Sequence, residues 1–261
     1  MAPTSRTLWV FAHPDDKSLN RLLFDSGVGH LRESGQTPIV SDLYADHWNP
    51  VLSDEDLGGV HAPTLGHRQK LATRTGRLAD DIRREQSKIA AADRVIVQFP
   101  LWWFGMPAIL KGWFDRVFTN GFAFGVLDEQ GRVRKYGDGG LTGTTFLAVV
   151  SAGDRESAFD PRGVNGAMDE VLWPLLHGTA HYTGMRTLRP HLIASADRVD
   201  DLRLRGEVER LHRRLDGLDD EPPMNYRDLR GGDYDDEHVL RSDIRPGVTG
   251  LGVHVGGETL H

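Results

Sequence analysis

The 261-residue chain has no cysteine. That excludes structural disulfides, thiolate metal sites, iron–sulfur clusters and cysteine nucleophiles, and it suits a reducing cytoplasm. Long apolar runs are also missing. None reaches ten residues, against the ~20 that a membrane-spanning helix needs. Nor is there an excess of basic charge: 31 Lys and Arg against 38 Asp and Glu give −7, so bulk charge points to neither nucleic acid nor anionic lipid. The first residues lack the basic-then-apolar pattern of a secretory signal. There is no Gly-x-Ser-x-Gly elbow, hence no support for a serine hydrolase, and no internal repeat or low-complexity tract.

What the chain does have is one dense aromatic passage, Gln98 to Phe118, running on through Gly121 to Phe124. An apolar strand, Arg94 to Phe99, breaks at Pro100 and leads into Trp102, Trp103 and Phe104. A helix then starts behind Met106 and Pro107, with proline where a first turn tolerates it. Three aromatics at a strand end need something flat to pack on, either a neighbouring subunit or a planar cofactor. At the carboxyl edge of an open α/β sheet the cofactor fits better.

Five strand-like runs stand out: 7–11, 38–43, 94–99, 144–151 and 188–193. Helical patterns occupy 18–34, 78–92, 107–118, 165–182 and 199–215. Alternating strand and helix of this kind predicts a parallel sheet covered on both faces. Residues 44–77 and the glycine-rich 125–143 read as long irregular loops. The polar segment after Pro223 reads as an extension with weak strand character at 250–255, too small for a core of its own. The domain reading is therefore 1–221 plus an extension, 222–261, docked on the main domain or on a partner subunit.

Three strand ends carry chemistry. The first, Ala12 to Asn20, leads straight into a helix that Ser18 can cap. Free amides at a helix start bind anions such as phosphate, and His13, Lys17, Ser18 and Asn20 add donors. An ordinary capped helix reads equally well from these residues alone. The second end is Pro100, Leu101, Trp102, Trp103 and Phe104. The third, Ser151, Ala152, Gly153, Asp154 and Arg155, offers backbone amides around a glycine. Together they suit an isoalloxazine, which needs an apolar face and hydrogen-bond partners along one edge.

In these residues the chain resembles the NAD(P)H:quinone oxidoreductase family, the DT-diaphorase type within the flavodoxin-like superfamily. The matching stretches are Ala12–His13 with Ser18–Leu19–Asn20, Ser41 to Tyr44 with Asn49–Pro50, and Gln98 to Phe124. Gly163 to Gly166, Val171 to Pro174 and Gly250 to His254 also match. The resemblance implies an α/β, flavodoxin-like doubly wound sheet of five parallel strands in the order 2-1-3-4-5. It also implies FAD in preference to FMN, NAD(P)H as electron donor, and a homodimer whose active sites lie between subunits. A quinone or similar electron-poor aromatic would be the acceptor. His13, Ser18, Leu19 and Asn20 would surround the flavin phosphates. Pro100 to Phe104 and Ser151 to Asp154 would border the ring. Phe124 and Val126 of the facing subunit would roof the pocket, Tyr182 would form a wall, and Arg203 would lie near the adenosine half.

The chain departs from that family in the loop after the fourth strand. Where quinone reductases carry a proton-relaying tyrosine and histidine, the sequence reads Phe159 and Asn165. Neither side chain can titrate, so acid–base work by this pair is gone. Arg155, four residues before Phe159, is the expected replacement at the flavin edge, with a solvent-exposed arginine as the alternative. Two rival classes remain: a flavodoxin-like electron carrier or regulatory subunit, and a flavoenzyme specialised for an aromatic metabolite. His177 and His181 have the spacing of a metal half-site but no third ligand, so a packed pair is expected.

Overall fold

A computed structural model describes residues 5–257. Three strands form the centre: β1 (Thr7–Phe11), β3 (Arg94–Pro100) and β4 (Thr145–Ser151). Their near-continuous apolar runs are buried on both faces, as parallel strands require. Side chains alternate along β1. Leu8 and Val10 enter one core, while Trp9 and Phe11 enter the other. Short β2 (Ile39–Asp42) pairs with β1. The sheet order is β2-β1-β3-β4-β5, all parallel.

The fifth strand is interrupted. β5 (Arg186–Thr187) and β6 (His191–Ile193) both pair with β4. Thr145 faces Arg186 and Val149 faces His191, so the edge carries one residue more than its neighbour over that span. Pro190, which has no amide to donate, stands in the gap.

Helix α1 (Leu19–Glu33) follows β1 and packs with the last helix, α7 (Asp201–Gly217), over the Trp9 and Phe11 face. On the other face lie α3 (Asp80–Ala90) and α4 (Ala108–Val117). One helix is present where the sequence reads as loop: α2 (Leu65–Thr75), capped by Thr64 and ended by Gly76 at φ +66°. It buries only Gln69 and Ala72, so it leaves no apolar stripe to read.

The helix expected over 165–182 is broken. α5 (Met168–Val171), α6 (Trp173–Leu175) and a π-type segment (Leu176–His181) replace it, with Pro174 at the start of α6. The weak strand expected at 250–255 is instead a 3₁₀ turn, Leu251–His254.

The extension packs on its own chain. The Met224 amide donates to Thr187 O and the Leu229 amide to Tyr136 O. Among the described residues no helix is long and apolar enough to cross a membrane.

His191, on β6, is buried with Nε2 unpartnered. Burial, with Arg210 and Arg214 nearby, pushes its pKa from 6.5 down to about 3. The unfolded state therefore takes up a proton below pH 6.5 that the folded state refuses. Stability present above that pH is lost as pH falls toward 3. Lowering the pH from 7 to 5 should cost about 2 kcal/mol through this one group. Urea unfolding at the two pH values checks it, and a His191→Leu variant should show a correspondingly flatter dependence.

Candidate flavin site

The turn after β1 is wound around Asp15. Its amide donates to His13 Nδ1 (3.1 Å), its carboxylate accepts the Lys17 amide (2.8 Å), and its carbonyl accepts the Ser18 hydroxyl (2.7 Å). Ser18 Oγ caps α1 by accepting the Arg21 amide at 3.2 Å. The amides of Leu19 and Asn20 have no protein acceptor among the described residues. They stand at the positive end of a 15-residue helix, a ready anion site. The Lys17 side chain is exposed beside it.

After β3 the chain reverses within four residues. Trp102 and Gly105 exchange both backbone hydrogen bonds at 3.0 Å. Between them Trp103 and Phe104 adopt φ of +50° and +58°. That is the left-handed pair of a two-residue turn, normally given to Asn and Gly. Each such aromatic costs on the order of 1–3 kcal/mol of backbone strain. The strain presents their rings outward: Trp103 is 100% exposed, Phe104 57% and Trp102 43%. The His13 ring lies 6.2 Å from that of Trp102, so the first two loops meet.

The third loop is tied to both. Ser151 O accepts the Leu101 amide (2.8 Å), and Ser151 Oγ accepts Asn20 Nδ2 (2.7 Å). Gln98, a buried polar residue within apolar β3, donates to Asn20 O at 2.8 Å and accepts Trp9 Nε1 at 3.1 Å. It was not among the expected site residues, although a lone amide in an apolar strand was the available signal. Asn20 Oδ1 is buried without a partner. Pro100, at the end of β3, is buried, Leu101 is half-buried, and Ala152 is buried behind the loop.

Gly153 and Asp154 are exposed. Asp154 holds its carboxylate between the Arg155 amide (2.8 Å) and Asn165 Nδ2 (3.2 Å). These two hydrogen bonds, the Arg155 amide foremost, lower its pKa. The Arg155 side chain is exposed and makes no ion pair among the described residues.

The other expected residues lie apart. Phe159 is buried in the core that includes Met168 and lines a separate cavity beneath the extension. Arg203, in the first turn of α7, donates to Ala194 O at 2.6 Å. Phe124, Val126 and Tyr182 are half-buried and gather around the glycine-rich insertion. Val126 O accepts the Arg134 amide and Tyr182 O the Tyr136 amide. The rings of Tyr182 and Tyr136 meet edge-on at 5.0 Å. No ring contact joins this group to the Pro100–Phe104 turn within one chain. His177 and His181 are packed side by side, 5.3 Å apart, and no cluster among the described residues is placed to hold a metal.

The three loops thus converge where the sheet order reverses, between β1 and β3. Free amides at the α1 start and the outward aromatic rings fit a phosphate-bearing planar cofactor of the flavin type.

Residues 5–215 match the family described as flavodoxin-like fold. The ribosyldihydronicotinamide dehydrogenase-like protein traD of Penicillium crustosum is 35% identical over 97% of this chain and 96% of its own. Human ribosyldihydronicotinamide dehydrogenase [quinone] is 38% identical, over 84% of this chain and 94% of its own. A Klebsiella pneumoniae structure assigned as a quinone reductase superposes with a TM-score of 0.90 at 38% identity, covering 97% of this chain and all of that one. The chain belongs to the NAD(P)H:quinone oxidoreductase family of the flavodoxin-like fold.

Proposed function

We propose that the protein binds FAD, in preference to FMN, and catalyses two-electron transfer from NAD(P)H to a quinone or similar electron-poor aromatic acceptor. The observation that carries this is the convergence of an anion-binding helix start, an outward aromatic turn and a loop of free amides on one switch point. The flavin, when bound, supplies the hydride-accepting and hydride-donating chemistry. The chain's own residues bind and orient. Leu19 and Asn20 amides, with the His13 ring, would hold phosphate, while Ser18, bonded to Asp15 O and capping the Arg21 amide, holds the turn that presents them. Trp102, Trp103 and Phe104 would stack on the ring and exclude water, and the Gly153 and Asp154 amides would face its polar edge. The preference for FAD rests on the family resemblance, with Arg203 placed near the adenosine half.

A homodimer and a cytoplasmic location belong to the same proposal. The rings of Phe124 and Tyr182 make no ring–ring contact with the aromatic turn of their own chain among the described residues, which suits a roof over a partner's site. The absence of cysteine suits the location.

The test is to denature the purified protein, identify the released flavin, and assay the holoprotein with menadione. NADH, NADPH and ribosyldihydronicotinamide are compared as donors, since two relatives are named for the last. Parallel double-reciprocal lines are expected, because donor and acceptor share one site. A colourless protein would overturn the reading, and a bound flavin without turnover would leave an electron carrier.

The exposed guanidinium of Arg155 is available to steady negative charge at the flavin edge, in place of the missing tyrosine and histidine. Arg155→Ala should slow flavin reduction by roughly tenfold and lower the flavin potential, less than the ~10²–10³-fold lost with one buried charge-stabilising donor because this guanidinium is exposed to solvent. Stopped-flow reduction and a dye-equilibrated potential check this; unchanged values in both would remove Arg155 from the role.

A further inference from the structure

A second pocket of about 410 Å³ lies between the glycine-rich insertion, the π-type segment and the C-terminal extension. None of its lining residues belongs to the three loops of the flavin site. Its walls are aromatic. Trp173 stacks on His177 with centroids 4.3 Å apart, and His177 stacks in turn on Tyr136 at 5.1 Å. Tyr234 stacks on His254 and donates or accepts a hydrogen bond at its Nδ1, 2.9 Å away. Leu251 stands at the rim, 43% exposed.

The charge in this pocket is unevenly distributed. Burial, with His181 and His254 adding to it, pushes His177 down to about 4, and burial also lowers His254. Both imidazoles are therefore neutral at pH 7. Arg227 lines the pocket but is paired with Asp233. Lys135 is different. Its amide is held by Asp138 at 2.8 Å, while its ammonium has no hydrogen bond or ion pair among the described residues. An aromatic-walled cavity with one uncompensated cation matches a ligand with a planar body and a single negative charge.

We propose that this pocket is a binding site for a planar aromatic anion, a hydroxyarene carboxylate or similar, with its rings among Trp173, Tyr136 and Leu251 and its charge on Lys135. Tyr136 lines it and packs edge-on against Tyr182, so an occupant sits one ring away from the group assigned to the acceptor roof. The site itself does not depend on flavin being bound.

The test is calorimetric titration of the protein as purified with 1-hydroxy-2-naphthoate, and with 1-naphthol as the uncharged counterpart. Lys135→Gln should weaken naphthoate roughly tenfold, the worth of one charge-assisted hydrogen bond, and leave naphthol unchanged. Leu251→Trp, which fills the mouth from a half-exposed rim, should abolish both while flavin content stays normal. Trp103→Ala should leave naphthoate binding intact. Three results would overturn the site: no naphthoate binding at millimolar concentration, affinity indifferent to both Lys135→Gln and Leu251→Trp, or loss of binding in Trp103→Ala. The last would place the anion in the flavin site. Flavin content and menadione turnover are read separately, so a failure here is distinct from a failure of the proposed function.

Discussion

Trp103→Ala should fold as well as the parent chain and lose most of its flavin. The indole is fully exposed, so removing it forfeits no packing in the flavin-free chain. It also leaves a smaller residue in the left-handed conformation at φ +50°. In the holoprotein the same ring would bury one face against the isoalloxazine. Covering about 100 Å² of apolar surface is worth roughly 2–3 kcal/mol, which is a 30- to 150-fold rise in flavin Kd at about 1.4 kcal/mol per decade. Fluorescence titration of stripped protein with FAD measures the affinity, and urea unfolding of the same material measures stability. Affinity lost with stability unchanged is the expected pattern. If affinity stays within twofold of the parent, the aromatic turn is not the wall of the cofactor site.

The second large effect lies in the excursion after β2. Arg116 of α4 and Asp56 are 3% and 4% exposed, and they pair through two guanidinium nitrogens, at 3.1 and 2.6 Å. The same guanidinium donates to Asn49 O at 2.9 Å, reaches Asp81 at 2.8 Å, and lies 4.5 Å over the Trp48 ring. Asp56 also accepts the Ser53 amide at 2.9 Å. Asp56→Ala leaves a buried cation short of its main partner and should cost about 3–5 kcal/mol. Urea denaturation checks it. The double variant Asp56→Leu with Arg116→Met should recover much of that loss, because it removes both charges from the interior together. A single-variant cost below about 1 kcal/mol would show the excursion to be held by other contacts.

The backbone at this place leaves no slack. A Cβ on Gly112 of α4 would fall 2.1 Å from Pro50 O, so helix and excursion touch main chain to main chain. The aromatic turn directly precedes this helix, so the excursion indirectly fixes where the aromatic rings point.

The central strands and the position of the site were legible because their signals are local. β1, β3 and β4 are apolar without interruption, and three aromatics after a proline are conspicuous in any reading. α2 was not legible, since a helix burying only Gln69 and Ala72 shows no periodicity; its caps, Thr64 and Gly76, were the remaining clue. The break of the 165–182 helix turned on Pro174, which marks a helix start as readily as an interruption. The bond from Asn20 to Ser151 joins residues 131 apart in sequence, and only the assembled sheet brings them together. The left-handed turn at Trp103 and Phe104 was hidden for the opposite reason: bulky aromatics are the residues least expected there. Tyr136 stood in a glycine-rich stretch that reads as loop, yet it lines the second pocket.

The divided fifth strand has a consequence for behaviour at high concentration. A sheet edge with a long flat row of free amides and carbonyls recruits strands from other chains. Here that edge comes as two short pieces, out of step by one residue and separated by a proline, and two of its outward carbonyls are already taken, Thr187 O by the Met224 amide and Leu192 O by Arg210. A foreign strand could not stay in register across both. The irregularity at Leu188–Pro190 therefore acts as a guard against edge-to-edge aggregation, and a regularised edge would be expected to make the protein less soluble.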